Sequence, residues 1–387
     1  MKAIEIKKGI YWVGGIDWDL RSFHGYLTQR GSTYNSYLII DEKITLIDNV
    51  KYYLADEQLQ RISQIIDPGK IDYIIQNHIE MDHSGSLPTM IRKVPNAKVF
   101  ASPQGVEGLP KHYGEEWNFH PVKTGDELKL GKRTLKFVQT PMVHWPDNMI
   151  SYCPEEKILF SNDSFGQHIA SSQRIDQNYP FNILMEEAQK YYANIVLPYG
   201  RQVQKALATA ADLEIEYICP SHGLVWHEHI PEIMAEYKKW ANNETEKKSL
   251  IIYDSMWGST QKIAEAIHSV FEDLNYNTSL LNLRTNHISD IMTKVLTAEY
   301  ICVGSPTLNS NILPTVAAFL TYLKGLAPKN RKGLAFGSYG WGGQSIGIVE
   351  KTLQECGFEI LPQIKAQYVP NEAKLEEIKD KLKKELK

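Results

Sequence analysis

The sequence predicts an α/β protein of two domains, the second of them a doubly wound parallel sheet. Three observations carry this. The 387 residues exceed what one ordinary core organises. Strand and helix patterns alternate regularly from residue 250 onward. A polar, charged stretch at 241–248 separates that alternation from a strand-rich first part. We place the boundary near Thr245, so the expected domains are 1–245 and 246–387.

Taken in order, STYNSYLIIDEKITLID reads as two strands joined by the polar turn Asp41-Glu42-Lys43. GKRTLKFVQTPM and KILFSND read as further strands, and helical stretches fall at 182–194, 202–214 and 230–240. In the second domain, strands at 250–253, 278–282, 299–303 and 333–337 alternate with helices at 259–272, 287–296, 313–324 and 344–355. The first of these helices places Ile263, Ile267, Val270 and Phe271 on one inward stripe. A final Lys/Glu-rich helix does the same with Leu375, Ile378 and Leu382, and its charges form a solvated face. No internal repeat or low-complexity segment is found.

Composition narrows the function. With 43% hydrophobic and 23% charged residues the chain reads as globular and soluble, and a net charge of -4 disfavours nucleic acid as a partner. The start, MKAIEIKKGIYWVGG, lacks the continuous apolar core of a secretory signal, and no segment approaches a membrane span, so a cytoplasmic location is expected. Cys153, Cys219, Cys302 and Cys356 lie far apart with no C-x-x-C, which predicts small apolar packing residues.

The chemistry concentrates in IIQNHIEMDHSG, residues 74–85. His78, Glu80, Asp82 and His83 crowd into six positions just past an apolar run ending at Ile75. Two imidazoles and two carboxylates without a Lys or Arg among them repel one another unless a cation sits between. Three more candidates share that setting: His144 in PMVHWPDN, Asp163 after KILFSN, and His222 in YICPSHG. Each comes at or just past the end of an apolar strand-like run, so all seven are expected on one edge of one fold. Four imidazoles and three carboxylates exceed the needs of one four-coordinate ion, and Asp163 can bridge two ions about 3.5–4 Å apart. His112, His120, His168, His227, His229, His268 and His287 read as structural or exposed.

A second constellation opens the second domain. IIYDSMWGSTQKIA runs from strand through a hydroxyl-rich loop into a helix starting near Ser259 or Thr260, which suits a single phosphate at a positive helix end. Neither G-K-[ST] nor G-x-G-x-x-G occurs there, so a nucleoside triphosphate is not expected. The loops GSPTLNSN, 304–311, and GSYGWGGQS, 337–345, follow later strands and would meet the first loop at the carboxyl edge of the sheet. Tyr339 and Trp341 can stack on a flat ring, and Gly340, Gly342 and Gly343 let backbone approach it.

The spacing H-x-E-x-D-H, then His, Asp and His, resembles the metallo-β-lactamase superfamily over roughly residues 1–245, which implies an αβ/βα sandwich. Hydrolases of that superfamily usually have His at the position of Glu80 and bind zinc. The carboxylate adds negative charge and a harder donor, which favours iron. The three loops of the second domain resemble flavodoxin, whose cofactor is FMN. Ser255-Met256-Trp257-Gly258-Ser259-Thr260 follows S/T-x-T-G-x-T with Trp257 in place of the middle Thr. The remaining expected FMN contacts are Pro306, Thr307, Leu308, Asn309 and Asn311 in one loop, with Ser338, Tyr339, Gly340, Trp341, Gly342 and Gly343 in the other.

Together the two halves resemble one family across nearly the whole chain, the flavodiiron proteins or A-type flavoproteins. The resemblance implies one iron held by His78, Glu80 and His144, a second by Asp82, His83 and His222, and Asp163 bridging them. It implies reduction of dioxygen to water, of nitric oxide to nitrous oxide, or both. Electrons would pass through FMN from a separate donor, rubredoxin or a reductase, since paired C-x-x-C elements are missing. It also implies a head-to-tail homodimer or dimer of dimers, with His24 in DWDLRSFHGY and Tyr199 in VLPYG lining the metal pocket and able to hydrogen-bond or protonate a bound oxygen species. Two rivals make different predictions. A dinuclear zinc hydrolase with an appended flavodoxin-like domain needs no reductant, and a flavin carrier with a structural metal keeps its redox chemistry when His144 is changed.

Overall fold

Period-two alternation sets the architecture of the first unit. Along Leu46–Ile47, Ile74–Ile75 and Val99–Phe100, successive side chains enter two different cores. A strand does this only where both faces of its sheet are covered. The computed structural model, which describes residues 2–386, shows what covers them. A seven-stranded sheet runs in the order Ile4–Lys7, Ile10–Trp12, Tyr37–Ile39, Thr45–Ile47, Tyr73–Gln76, Lys98–Ala101, Phe119–Pro121. On one face, Ile62, Leu87, Met90 and Leu109 pack from the helices Ala55–Ser63, Leu87–Lys93 and Pro103–Tyr113. On the other, Ile47, Ile75 and Phe100 meet Phe137, Met149 and Phe160 of a second, five-stranded sheet. That sheet orders Glu127–Lys129, Thr134–Gln139, Met149–Cys153, Ile158–Asn162 and Tyr217–Pro220. Ile150 and Leu159 point from its outer face towards the helices Gly200–Thr209 and Ile230–Ala241. The layers are therefore helix, sheet, sheet, helix.

Some expected elements change shape. Tyr37–Ile39 and Thr45–Ile47 pair antiparallel about the Asp41–Lys43 turn, but Ser32–Tyr34 breaks away to pair with Gly15–Asp17. The break falls where buried Asn35 turns its amide to the carbonyls of Pro220 and Gly223 and accepts from the Trp12 indole. The expected helix 182–194 is Phe181–Tyr191 followed by a π-helical turn, Tyr192–Val196, and the next helix is shorter than expected, Gly200–Thr209.

By internal contacts the compact units are Met1–Tyr191 with Arg201–Lys238, and Tyr192–Gly200 with Lys239–Lys387. The second unit holds five parallel strands in the order Asn277–Asn282, Glu246–Tyr253, Ala298–Gly304, Lys332–Tyr339, Glu359–Gln367. The last of these was not among the expected strands. Helices alternate with the strands, and the strand order reverses between Glu246–Tyr253 and Ala298–Gly304, which creates a switch point at their carboxyl ends. Ile263, Ile267, Val270 and Phe271 enter the core, joined by Ile378 and Leu382 of the last helix. All four cysteines are buried and free. Among the described residues no helix is long and apolar enough to cross a membrane.

Candidate functional site

The seven sequence-derived metal candidates come together at strand ends of the two facing sheets. His78 and Glu80 follow Tyr73–Gln76, Asp82 and His83 lie in the short helix Met81–Ser84, and His144 follows Thr134–Gln139. Asp163 comes directly after Ile158–Asn162 and His222 just after Tyr217–Pro220. Their ligating atoms form two groups, His78, Glu80, His144 and Asp163 in one and Asp82, His83 and His222 in the other, with the atoms of each within 4.8 Å of one another.

Asp163 joins the groups. Its Oδ2 lies 3.6 Å from His78 Nε2 and 3.4 Å from His144 Nε2, while its Oδ1 lies 3.0 Å from His83 Nε2 and 3.5 Å from His222 Nε2. Glu80 Oε2 stands 3.4 Å from both His78 and His144, and Asp82 Oδ2 stands 3.2 Å from His222. Outer contacts fix two of the rings. His78 Nδ1 donates to Asp147 at 2.8 Å and His222 Nδ1 to the Thr33 carbonyl at 2.8 Å, which turns both Nε2 lone pairs inward.

In the second unit, three loops surround a cleft of about 910 Å³. The wall takes Ser255, Met256, Trp257 and Ser259 from the first loop, Pro306, Thr307 and Asn309 from the second, and Ser338, Tyr339, Gly340, Trp341 and Gly342 from the third. Gly258, Thr260, Leu308, Asn311 and Gly343 support these loops without lining the cleft. Thr260 Oγ1 bonds Ser338 Oγ, and Leu308 and Asn311 close a tight turn through reciprocal backbone bonds. Sequence reading missed Ser310, Gln344, Tyr368 and Val369 on the wall. No side chain caps the helix Ser259–Asp273, so its first N–H groups stay open towards the cleft side, and Gly258 and Gly342 hold φ of +85° and +126°.

Comparison with known proteins agrees with both halves. Residues 33–223 match the model described as ODP family beta lactamase, and residues 251–381 match that of flavodoxin. The rubredoxin-oxygen oxidoreductase of Megalodesulfovibrio gigas is 42% identical over 98% of this chain and 96% of its own. The nitric oxide reductase of Moorella thermoacetica is 42% identical over 95% of this chain and 94% of its own. The crystal structure of the flavodiiron protein from Giardia intestinalis superposes with a TM-score of 0.97 at 37% identity, covering 100% of this chain and 96% of that one. The chain belongs to the flavodiiron protein family.

Flavodiiron proteins use FMN and paired iron, and the residues present fit both. No well-aligned hydrogen bond satisfies the oxygens of Asp82 or Asp163, which are buried and faced by imidazole nitrogens, an arrangement that suits a cation between them. Burial opposes charge on His83 and His144, yet the facing carboxylates outweigh it and push each up to about 9. Burial likewise opposes ionisation of Asp163, and the imidazoles around it hold it well below the usual carboxylate range. The site's field thus favours cations. For FMN, the uncapped helix end offers N–H groups to a phosphate, and the cleft offers aromatic and glycine walls to a ring.

His24 joins the flavodiiron site, with Nε2 3.1 Å from Glu80 Oε1. Tyr199 instead lies on the turn Leu197–Tyr199, in the segment that packs with the second unit. A different phenol, buried Tyr191, approaches the candidate ligands, its ring 5.8 Å from that of His222. Sequence reading also missed Asp147 and Lys51, whose ammonium sits 4.9 Å from the Phe23 ring and 5.0 Å from the Tyr34 ring. His168 is buried as a structural histidine, bonded to Ser32 through Nδ1 and packed on His222. Only Asp147 carried a local signal, lying three residues past His144 in the same loop.

Proposed function

We propose that this chain is an oxidoreductase that reduces dioxygen to water, nitric oxide to nitrous oxide, or both. The observation that carries the reading is Asp163 set between two donor groups, each with one further carboxylate, in a chain that also folds a flavin cradle. Bound iron and FMN would supply redox chemistry: two ferrous ions and a two-electron-reduced flavin hold the electrons that full reduction of dioxygen needs. In this reading His78, Glu80 and His144 would hold one iron and Asp82, His83 and His222 the other, with Asp163 a donor shared by the two groups.

The chain's own groups have defined tasks. Asp147 and the Thr33 carbonyl orient His78 and His222. The His24 side chain is largely exposed and hydrogen-bonded to Glu80, so it can hand a proton from water to a molecule at the site. Glu80 in place of a histidine supports iron over zinc and so the reductase over the hydrolase.

The same reading extends to partners and setting. Trp257 and Trp341 stand 92% and 86% exposed around the flavin cleft, an apolar rim that suits a covering surface. A head-to-tail homodimer, bringing one subunit's FMN to the other's metals, is the occupant this reading assigns, with rubredoxin or a reductase as donor in the cytoplasm. The test is iron and FMN analysis of anaerobically purified protein, joined to consumption of each gas by the chemically reduced form. Two irons and one FMN per chain with turnover of either gas are expected; zinc and reductant-independent hydrolysis would overturn the reading.

A further inference from the structure

A second cavity lies within the first unit, on the outer face of the five-stranded sheet. It measures about 30 Å³ and is walled by Ile150 and Leu159 from the sheet, Met234 from the helix Ile230–Ala241, and Val203, Ala206 and Leu207 from the helix Gly200–Thr209. A cavity of roughly 10–15 Å³ already admits one water, so this one has room for a diatomic molecule. Its wall is mostly apolar. Four hydroxyl-bearing residues, Thr140, Ser161, Ser164 and Tyr237, stand among fourteen lining residues; Ser161 Oγ donates to the Ser164 carbonyl at 2.8 Å, and Tyr237 Oη accepts the Phe165 N–H at 2.6 Å. With a mostly apolar wall, water gains little there, whereas a weakly hydrated gas partitions in.

Its position gives this space a use. Val143, directly before His144, lines it, and so do Ser161, Ser164 and Phe165, which flank Asp163. The cavity thus touches the backbone neighbours of two proposed ligands, one of them the bridging carboxylate. On the opposite side Ala206 and Leu207 are only half-buried, so the space reaches towards solvent between small and aliphatic side chains.

We propose that this cavity is a holding site for an uncharged diatomic gas, which reaches the metal centre past the helix Gly200–Thr209. The inference rests on the reductase reading for what the gas is used for, but not for whether gas binds. Ala206 is the residue to test, because it faces the cavity and belongs to neither the donor groups nor the flavin cleft. Crystals of the full chain, loaded with iron and FMN, would be pressurised with xenon, a probe of dry apolar cavities. Xenon density between Ala206 and Leu159 is expected; it should vanish in Ala206→Phe and strengthen in Leu207→Ala. In solution, Ala206→Phe should raise the KM for dioxygen or nitric oxide by roughly fivefold with kcat unchanged, the pattern of lost substrate holding without lost chemistry. Ala206→Leu serves if the larger ring disturbs folding, and the iron content of each variant, which gas holding does not alter, separates delivery from damage. No xenon in the wild-type cavity, or an unchanged KM in a filled variant with full iron content, overturns the proposal. Wild-type protein that takes up xenon but turns over neither gas would sink the reductase reading and leave the gas site standing.

Discussion

Asp147 Oδ2 lies 2.8 Å from His78 Nδ1 and accepts the backbone N–H of Ile79 at the same distance. One carboxylate thus orients a proposed ligand and pins the backbone that carries it. Loss of such an outer partner typically lowers metal affinity about 10–100-fold. Asp147→Ala is therefore expected to weaken iron binding by that order and leave FMN content intact, as measured by chelator competition and by flavin absorbance. Unchanged iron affinity would mean that the ring needs no such support.

Glu80 sets the choice of metal in the proposed reading. Its Oε2 faces His78 and His144 while Oε1 takes His24. Glu80→His removes one negative charge and offers a softer donor. Expressed with iron and zinc equally available, the variant should carry a higher zinc-to-iron ratio than the parent. Elemental analysis of the two side by side decides it.

Asp82 and Asp163 are buried with no well-aligned hydrogen bond to their oxygens, so bound cations should contribute to stability. Removal of metal by a chelator is expected to lower the melting temperature of the first unit, by roughly 2–4 °C for each kcal/mol of linkage lost. Calorimetry should show the transition of the flavin unit unmoved. Asp163→Ala, which removes a carboxylate facing both donor groups, should abolish most of the chelator's effect.

Gly258 enters the helix Ser259–Asp273 at φ +85°, with open space where a Cβ would point. Only backbone strain opposes a side chain there, and for a β-branched residue it amounts to about 1–3 kcal/mol. Gly258→Val should therefore tilt the phosphate loop and weaken FMN binding by roughly tenfold or more, leaving iron content unchanged. Recovery of flavin fluorescence on dilution gives the dissociation constant.

Asp41 reports on acid stability. Burial raises its pKa, but the N–H groups of Lys132, Glu42 and Arg133 and the Arg133 guanidinium outweigh burial and hold it below the ordinary value of 3.8. A depressed folded-state pKa gives stability that is present above the unfolded value and lost as pH falls through the folded one. Asp41→Asn should cost about 1 kcal/mol near neutrality and show a shallower loss of urea stability below pH ~4 than the parent. A parallel fall of the two curves would show that Asp41 carries no such linkage.

The regular strand and helix pattern from 250 to 355 was readable because each element carries its own periodicity, such as Ile263, Ile267, Val270 and Phe271 on one stripe. Glu359–Gln367 was not: it is an edge strand of its sheet, four of its nine residues are exposed, and Pro362 interrupts it. The helix Pro103–Tyr113 escaped for a related reason, since Gly105, Gly108 and Pro110 dilute its helical signal while tertiary packing against Ile79 and Ala101 holds it.

The donor set divides the same way. His78, Glu80, Asp82 and His83 were legible because their side-chain chemistry is crowded into one loop, and His144, Asp163 and His222 because each ends a strand. Tyr191 and Lys51 carry no such local mark, and only the meeting of distant segments brings them near the candidate ligands. The segment Tyr192–Gly200 shows the limit most plainly. By sequence it belongs with the first domain, yet Asn194 accepts a hydrogen bond from Tyr322 and donates to the Ser289 carbonyl, so it packs with the second. Local pattern determines which elements form and which side chains can bind metal. Partners separated by a hundred residues are chosen only when buried polar groups have to be satisfied, and that requirement does not exist until the chain has folded.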